Sequence, residues 1–357
     1  MTSATGSILV TGANGGLGSS IARQISSSAK YAKTYHGIYT VRDVGRATEA
    51  KRAVQKADST GHTYDLVALD LSSLASTRRV AEEINRKVAE GEIPPIRALI
   101  LNAATQEYTG HTMTGDGFDM TFQTNYLSHF LLTLLLLKSM DKENGRVVVL
   151  GSWSHDTADK RNLIPGVMRP YAEEKYNLIF KEPISAEPLA RGKWSVPTEE
   201  DKSGDNGYRR YGASKLCEIM FMRELSKRIK SDPTLSSLSI LSVDPGAMPT
   251  YLTRERTPNA LARNVMKSVA SVVISVVGHF RPGADFRTTE QSGSDVLYAA
   301  FELDGDEGRP NGVYLNGRLP SEVSVEARDE RKCEVLWRES LGFVELKEGD
   351  TVLEGWR

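Results

Sequence analysis

The sequence has few cysteines, no strong charge of either sign and no long apolar run. Cys217 and Cys333 are its only cysteines, which excludes a disulfide framework and a zinc site built on cysteine. Lys plus Arg number 45 and Asp plus Glu number 46, so a basic surface for nucleic acid is not expected. The most apolar stretch, 269–277, is shorter than the roughly 18 residues of a membrane-spanning helix.

Signals for secretion, metal binding and serine hydrolysis are also missing. The first residues, MTSATG, lack the basic and apolar regions of a secretory signal, so we expect a cytoplasmic protein. The six histidines are scattered and show no metal-ligand spacing. His155 follows Ser152 by three residues, but no GxSxG motif is present, so we interpret it as a loop histidine near the pocket mouth. The sequence therefore predicts neither a metal centre nor a hydrolase.

Apolar and amphipathic segments alternate regularly along much of the chain. Six apolar segments are predicted to be strands: 7–12, 36–41, 65–71, 97–103, 146–152 and 238–246. Val, Ile and Leu run almost unbroken in several of them, as is typical of parallel strands covered on both faces. Spaced apolar residues among the charges between them predict crossover helices. The pattern predicts an α/β fold, a single-domain Rossmann-type doubly wound parallel sheet.

The length exceeds what such a unit needs, since one doubly wound domain takes about 250 residues. The region 156–207 is polar, contains five prolines and fits no strand–helix unit, so we predict a long insertion there. Residues 1–318 are assigned to one cofactor-binding catalytic domain, which contains this insertion and a substrate-binding segment at 250–290. Residues 319–357 are predicted to be a C-terminal extension, with helical character over 324–340.

A glycine-rich turn, TGANGGLG, follows the first predicted strand. Gly12 permits a tight turn, Gly16 lets the backbone approach a pyrophosphate, and Gly18 allows a helix to pack closely on a strand. The N-terminus of the following helix attracts the negative charge of a phosphate. The turn predicts a dinucleotide site, the alternative being an ordinary strand-to-helix turn.

The end of the second strand indicates which dinucleotide binds. NAD-binding proteins place an acidic side chain there, whereas an arginine accommodates a 2′-phosphate. Here Val41 is followed by Arg42, with Arg46 as a second candidate, which favours NADP(H) over NAD(H). Asp43 is an acidic side chain next to this position. It either turns toward the ribose, which would favour NAD(H), or caps the next helix.

Tyr211 and Lys215 form the strongest catalytic candidate. They are four residues apart in a predicted helix and therefore lie on one face. A neighbouring ammonium lowers the pKa of a phenol from its usual value of about 10, so that Tyr211 can exchange a proton with a carbonyl or alcohol. Ser152 ends the fifth strand, where open parallel sheets bind ligands. Asn102 follows the fourth strand, and Asn125 lies on the next helix.

With these motifs in this order, residues 7 to about 250 resemble the short-chain dehydrogenase/reductase family, in its retinol-dehydrogenase-like and carbonyl-reductase-like branch. The resemblance implies that Tyr211 is the general acid/base, that Lys215 binds the nicotinamide ribose and lowers the tyrosine pKa, and that Ser152 orients the substrate oxygen. It also implies that Asn125 holds a water linking Lys215 to solvent. The residues expected to bind the cofactor are Gly12, Asn14, Gly16, Leu17, Gly18, Arg42, Asp70, Leu71, Asn102, Ala103, Tyr211, Lys215, Pro245, Gly246 and Thr250.

We predict that the protein reduces a ketone or aldehyde of a medium-sized lipophilic molecule with NADPH, or oxidises the alcohol in reverse. The apolar segment 264–280 motivates one alternative, a membrane-associated 3-keto sterol reductase. An NADP-binding scaffold or redox sensor is another, and an epimerase or dehydratase on the same fold stays open. Trp153 and Trp194 are candidate pocket residues, although Trp194 is equally suited to anchor the insertion. We expect no nucleic-acid partner, at most a peripheral membrane contact, and a monomer, with a dimer as the alternative.

Overall fold

The structure is a computed structural model that describes residues 4–55, 57–108, 110–163, 169–197, 204–248, 285–304 and 309–357. The predicted cofactor residue Thr250, the apolar stretch 264–280 and most of the predicted substrate-binding segment 250–290 lie outside the described residues. The remaining predicted site residues lie within them.

The described strands form one mixed sheet: β1 Gly6–Val10, β2 Tyr35–Val41, β3 Tyr64–Ala68, β4 Ile96–Leu101, β5 Arg146–Leu150, β6 Ser239–Asp244, β7 Val313–Asn316 and β8 Leu319–Pro320. Their spatial order is β3-β2-β1-β4-β5-β6-β7-β8. All neighbours pair in parallel except β8, which is antiparallel to β7. The chain order reverses between β1 and β4, the point at which doubly wound sheets bind ligands. The predicted Rossmann-type fold is confirmed.

The described α-helices are α1 Gly16–Ser27, α2 Thr48–Ala53, α3 Ala57–Thr60, α4 Leu74–Ala89, α5 Met120–Phe122, α6 Ser128–Leu136, α7 Glu187–Ala190, α8 Asp205–Ser231, α9 Thr289–Phe301 and α10 Glu330–Phe343. A π-helical turn, Gln123–Leu127, joins α5 to α6. Short 3-10 turns occur at Leu137–Ser139, Trp153–His155, Lys160–Asn162, Glu174–Tyr176 and Glu326–Arg328. Among the helices that the structure describes, none is both long and apolar enough to cross a membrane.

Two apolar clusters cover the two faces of the sheet. Ile21 of α1 and Val296 of α9 belong to the cluster on one face. Leu131 of α6 and Leu216 of α8 belong to the cluster on the other face. Because both faces are covered, all five residues of β1 and of β5 are buried, which explains their unbroken apolar sequences.

All six predicted strands are present, but most are shorter than predicted at their carboxyl ends. β3 ends at Ala68 rather than 71, β4 at Leu101 rather than 103, and β5 at Leu150 rather than 152. The residues beyond these ends turn out of the sheet instead of extending it. They form the carboxyl edge, where the predicted site residues collect.

The inserted region is held in place by carboxylates of the C-terminal extension. Glu326 accepts hydrogen bonds from the backbone N–H groups of Ile179, at 3.0 Å, and Phe180, at 2.6 Å. Glu339 of α10 accepts one from the N–H of Ala186, at 2.6 Å. The described parts of 156–207 contain short helical turns, α7 and the first turn of α8, but no strand. The insertion and the extension therefore pack as one layer.

The extension also contributes to the core. The ring centroid of Trp337, on α10, lies 5.1 Å from that of Phe130 on α6 and 6.3 Å from that of Phe221 on α8. Its indole N–H donates to the carbonyl oxygen of Trp356 at 2.6 Å, and Trp337 is 1% exposed. The predicted boundary at residue 318 falls in the turn between β7 and β8. Helix α10 thus covers apolar faces of α6 and α8.

Candidate active site

The glycine-rich turn lies between β1 and α1 and packs against the end of β4. Gly12 has a φ of +68°, and a Cβ there would lie 2.9 Å from the Cα of Ala103. A Cβ on Gly18 would collide with the carbonyl oxygen of Gly12. The side-chain amide of Asn102 donates to the carbonyl oxygen of Thr11 at 2.7 Å. Glycine is required at both positions, at Gly12 by conformation and at Gly18 by contact.

The N-terminus of α1 has no side-chain cap. Gly15 is the N-cap residue, and the first turn contains no acidic residue. Gly16 and Leu17 open the helix, and the Leu17 side chain is buried. Uncapped N–H groups at the positive end of a helix dipole are suited to a phosphate. The turn and the helix together form a cradle that fits a pyrophosphate.

Arg42 follows the last residue of β2 and is exposed, and it makes no hydrogen bond or ion pair with any described residue. Asp43 accepts a hydrogen bond from the backbone N–H of Arg46 at 3.3 Å, and it forms an ion pair with that guanidinium at 3.5 Å. Asp43 therefore stabilises the turn before α2. Asn14 caps α2, since its side-chain oxygen accepts from two N–H groups of that helix at 2.9 and 3.1 Å.

Asp70 and Leu71 lie in the turn after β3. The carboxylate of Asp70 accepts from the backbone N–H and the hydroxyl of Ser72, at 3.0 and 2.7 Å. Leu71 is buried, and its carbonyl oxygen accepts from the hydroxyl of Ser128 at 2.7 Å. These contacts fix the turn beside the start of α6, one strand beyond β2 at the same edge of the sheet.

The structure brings Ser152, Tyr211 and Lys215 together. The side chain of Ser152 neighbours the phenol of Tyr211. The Lys215 ammonium lies 5.5 Å from the centroid of the Tyr211 ring and donates to the carbonyl oxygen of Leu150 at 2.8 Å. The hydroxyl oxygen of Ser152 accepts from the hydroxyl of Ser154 at 3.0 Å. The proton of Ser152 is therefore left to donate outward.

Asn125 lies in the π-helical turn and is fixed by three hydrogen bonds. Its side-chain oxygen accepts from the N–H of Thr105 at 2.7 Å, and its amide donates to the carbonyl of Thr105 at 3.0 Å. The amide also donates to the hydroxyl of Ser214 on α8, at 2.9 Å. Asn125 thus contacts α8 next to Lys215. The water-mediated link between them stays a prediction.

The electrostatics of Tyr211 differ from those of a phenol beside a free ammonium. Burial raises the pKa of Tyr211 above its usual value, and the nearby Glu218 and Asp244 raise it further. The neighbouring hydroxyl of Ser152 lowers this pKa, in the opposite direction. The net rise in the Tyr211 pKa is opposite to the predicted lowering by Lys215, because burial disfavours the phenolate most and Glu218, which pairs with the Lys215 ammonium, adds to that effect.

Glu218 is a residue of this site that the motifs did not reveal. It is 3% exposed, and its carboxylate oxygens lie 2.9 and 3.1 Å from the Lys215 nitrogen. The signal in the sequence is an acidic residue three positions after Lys215, within the apolar run from Leu216 to Met222. An isolated charge on the buried face of a helix requires a partner.

His129 and Thr11 form a second link that the sequence did not reveal. Nε2 of His129 lies 3.0 Å from the hydroxyl oxygen of Thr11, and Nδ1 lies 2.7 Å from the carbonyl oxygen of Asn125. Burial lowers the pKa of His129 to about 4, so the imidazole is neutral near pH 7. The signal was a histidine four residues after Asn125 in an otherwise apolar helix.

The segment after β6 adopts a turn that requires glycine. Gly246 has a φ of +73°, and its N–H donates to the carboxylate of Asp244 at 2.9 Å. The carbonyl oxygen of Pro245 accepts from the hydroxyl of Ser292 on α9, at 2.7 Å. Pro245 and Gly246 therefore lie at the same edge of the sheet as Ser152.

His155, which the sequence predicted to be a loop histidine near the pocket mouth, is buried in the structure. It is 3% exposed in the 3-10 turn after β5, with Nδ1 2.7 Å from the carbonyl oxygen of Ser152. Its Nε2 accepts from the backbone N–H of Ser324 at 3.1 Å. The burial follows from the C-terminal extension, which covers this turn.

The two tryptophans considered for the pocket have different surroundings. The guanidinium of Arg161 lies 4.8 Å from the ring centroid of Trp153. Trp194 packs edge-on against Tyr176, with 5.9 Å between ring centroids, inside the inserted region. The contacts of Trp194 are those of a residue that anchors the insertion.

A doubly wound sheet with a glycine turn and a Ser–Tyr–Lys group at its carboxyl edge is the architecture of an NAD(P)-dependent oxidoreductase. Residues 7–159 match the family described as short chain dehydrogenase. The chain is 48% identical to the short-chain dehydrogenase iccH of Talaromyces variabilis, over 98% of this chain and 99% of that protein. This protein belongs to the short-chain dehydrogenase family, which confirms the resemblance inferred from the motifs.

More distant similarities extend over most of the chain. A protochlorophyllide reductase of Avena sativa is 30% identical, over 95% of this chain and 99% of that protein. Among solved structures, the NADPH-bound carbonyl reductase from chicken fatty liver covers 90% of this chain and 99% of its own, with a TM-score of 0.55 and 15% identity. The angucycline C-6 ketoreductase LanV, with bound NADP, covers 89% and 97%, with a TM-score of 0.54 and 16% identity. The solved structures support the fold.

Proposed function

We propose that this protein reduces a ketone or aldehyde of a medium-sized lipophilic molecule with NADPH, and oxidises the corresponding alcohol in reverse. The observation that carries the proposal is the group formed by Tyr211, Ser152 and Lys215 at the carboxyl edge of the sheet. These side chains have the roles that carbonyl reduction requires. They lie at the edge where the glycine turn forms its cradle.

The residues present fit a dinucleotide that carries a 2′-phosphate. The turn at Gly12 and Gly18 has no room for side chains, and α1 begins with uncapped N–H groups. Arg42 is exposed without a partner among the described residues, whereas Asp43 is engaged with Arg46. An arginine without a partner among the described residues, next to an aspartate that pairs with Arg46, supports NADP(H) over NAD(H).

The chain's own side chains supply orientation and a proton. When bound, the nicotinamide supplies a hydride to the carbonyl carbon. The hydroxyl of Ser152, oriented by Ser154, donates to the carbonyl oxygen of the substrate. As negative charge develops on that oxygen, Tyr211 transfers its phenolic proton to it and becomes a phenolate. Water then returns a proton to Tyr211, so the site regains its starting state.

A row of aromatic side chains supports an apolar substrate. The rings of Tyr208 and Tyr211 are 6.4 Å apart between centroids, and Tyr171 of the insertion lies 6.4 Å from Tyr208, edge-on. Trp153 lies directly after Ser152. Aromatic surface with a few polar groups is typical of pockets for lipophilic small molecules. The insertion thus contributes to the surroundings of the catalytic tyrosine.

The alternatives have less support. The 3-keto sterol reductase at a membrane depended on 264–280, which lies outside the described residues, and nothing in the described residues favours it. A scaffold or redox sensor has no need for a buried ammonium next to a tyrosine, as Lys215 and Tyr211 provide. An epimerase or dehydratase uses a similar site, so the products of the reaction distinguish it from a reductase.

A monomer fits the packing of the C-terminal extension. Trp337 occupies the apolar surface formed by Phe130 of α6 and Phe221 of α8. The apolar faces of these two helices are therefore covered by this chain's own α10. A partner that paired through these faces would have to displace Trp337, which is 1% exposed.

The test is an assay of the purified full chain with NADPH and a panel of ketones and aldehydes of graded size and polarity. The proposal predicts loss of NADPH absorbance matched by formation of the alcohol, with larger apolar carbonyls preferred over small polar ones. Mass analysis of the product identifies it as reduced, isomerised or dehydrated. NADPH binding without reduction of any carbonyl, or an isomeric product, would contradict the proposal.

A further inference from the structure

The Lys215 ammonium has all three of its hydrogens engaged within the protein. It donates to the carbonyl oxygen of Leu150 at 2.8 Å, and the two oxygens of Glu218 lie at 2.9 and 3.1 Å. An ammonium has three donors and no acceptor. Glu218 therefore fixes the orientation of Lys215 as well as balancing its charge.

The pair is shielded from water. Lys215 is 2% exposed and Glu218 is 3% exposed, one turn apart on α8. In an environment of low polarity, solvent screens neither charge, and each acts strongly on nearby groups. Since the two charges are opposite and adjacent, their joint field at the neighbouring Tyr211 is far weaker than that of Lys215 alone.

Other groups around Tyr211 do not restore a positive field. Asp244, on β6, and the phenol of Tyr108, on the loop after β4, both disfavour the phenolate. On α6, His129 faces Lys215 and is neutral, because burial lowers its pKa to about 4. On α8 itself, Tyr208 and Cys217 are uncharged groups at neutral pH whose pKa values are raised by burial. Lys215 is thus the cation whose charge matters here, and Glu218 offsets it.

We propose that Glu218 is a positioning residue that holds Lys215 in place and offsets its charge, so that the Tyr211 phenolate forms only at a higher pH than it would beside an unpaired ammonium. Reduction requires the phenol as proton donor, whereas oxidation requires the phenolate as base. This inference rests on the proposed function for its catalytic meaning. The electrostatic coupling itself depends only on the three side chains.

The titration behaviour of the pair agrees with this arrangement. Burial raises the pKa of Glu218 to about 7, although Lys215 acts to lower it. At the alkaline pH where a tyrosine ionises, Glu218 is therefore a carboxylate and opposes the phenolate. Removing that negative charge while keeping the shape of the side chain makes Tyr211 more acidic.

The test is the variant Glu218→Gln in the full chain. Tyr211 is titrated by the ultraviolet absorbance of its phenolate, as the difference between each protein and the same protein carrying Tyr211→Phe. An unpaired ammonium lowers a neighbouring acid's midpoint by about 1–3 pH units, which is the shift expected in Glu218→Gln. This readout needs neither cofactor nor turnover, so it stands even if no carbonyl substrate is found.

The matched control is Glu224→Gln. Glu224 is a buried carboxylate on the same helix that pairs with Arg228 at 2.9 Å and makes no contact with Lys215. This variant leaves the midpoint of Tyr211 unchanged. Glu218→Asp, which keeps the charge, has a midpoint close to the wild type and is the second variant if Glu218→Gln folds poorly.

The pH profile of alcohol oxidation gives an independent readout. Its kcat/KM rises at lower pH in Glu218→Gln than in the wild type, by the same number of units as the optical midpoint. Identical midpoints in the wild type and Glu218→Gln would overturn the proposal. So would an equal shift in Glu218→Asp, because charge would then not be the cause. An absorbance shift without any oxidation activity would leave Glu218's role intact and contradict the proposed function alone.

Discussion

Nε2 of His129 lies 3.0 Å from the hydroxyl oxygen of Thr11, so a buried side chain joins the glycine turn to the helix that carries Asn125. Its other ring nitrogen lies 2.7 Å from the Asn125 carbonyl oxygen. The Thr11 hydroxyl oxygen in turn accepts from the backbone N–H groups of Asn102 and Ala103, at 2.9 and 3.0 Å. The glycine turn and the segment that carries Asn125 are thereby fixed relative to each other.

Replacing His129 with leucine leaves these buried polar groups without their partner. We expect the free energy of unfolding to fall by about 1–3 kcal/mol, as for other unsatisfied buried groups, and NADPH to bind more weakly. Urea unfolding and a binding titration measure the two effects. His62→Leu is the control, because His62 is also buried with two partners, Tyr39 and Ala32. A loss of NADPH affinity as large in His62→Leu as in His129→Leu would contradict a specific role of His129.

The lowered pKa of His129 also predicts that the stability of the fold depends on pH. Its pKa falls from 6.5 to about 4 in the folded protein, because burial disfavours the charged ring. The unfolded chain therefore binds a proton first as the pH drops. The free energy of unfolding is highest above pH 6.5 and falls by up to about 3 kcal/mol as the pH approaches 4. His129→Leu has a shallower dependence over this range, measured by urea unfolding at several pH values. Parallel curves for the two proteins would count against this assignment.

Arg42 is the residue that we expect to distinguish the two dinucleotides. Arg42→Ala should weaken NADPH binding by about 10–100-fold, the loss of a charge-assisted hydrogen bond, and leave NADH binding nearly unchanged. Arg52→Ala is the control, because the Arg52 side chain is 65% exposed, pairs with Glu49 and is not a candidate for the 2′-phosphate. Calorimetric titration with each dinucleotide measures the difference. An equal loss for NADPH and NADH would show that Arg42 does not contact a 2′-phosphate.

The sheet and the grouping of the candidate catalytic residues could be predicted because local chemistry specifies them. Gly12 is required by a positive φ that other residues rarely adopt, and the apolar residues of β5 reflect burial on both faces. Tyr211 and Lys215 were found from one helical spacing. In each case, the residues that carry the signal are adjacent or one turn apart in the chain.

The remaining parts depend on contacts between distant segments. Glu218 looks like a misplaced surface charge until Lys215 is seen within 3.1 Å, and His129 looks like a core residue until Thr11 is seen beside it. His155 was predicted to be near a pocket mouth because nothing in its neighbourhood shows that Ser324, 169 positions later, covers it. Such pairings across the chain have no sequence signature.

Trp337 is predicted to be the main anchor of the C-terminal extension. Trp337→Ala should lower the free energy of unfolding by about 3–5 kcal/mol, the cost of a large cavity in a core. The exposed faces of α6 and α8 should also promote self-association, which sedimentation would detect. Trp194→Ala, at a partly buried position in the insertion, should cost less. A stable, monomeric Trp337→Ala variant would show that the extension is not needed to cover these helices.

The central claim is that Tyr211 is the proton donor, and the variant Tyr211→Phe tests it most directly. NADPH affinity and steady-state carbonyl reduction are measured on the wild type, on Tyr211→Phe, and on Tyr298→Phe as a control on α9. The account predicts that Tyr211→Phe binds NADPH almost as tightly as the wild type and loses about 10²–10⁴-fold in kcat, the range for a general acid. Tyr298→Phe should behave as the wild type. Full turnover by Tyr211→Phe would contradict the account.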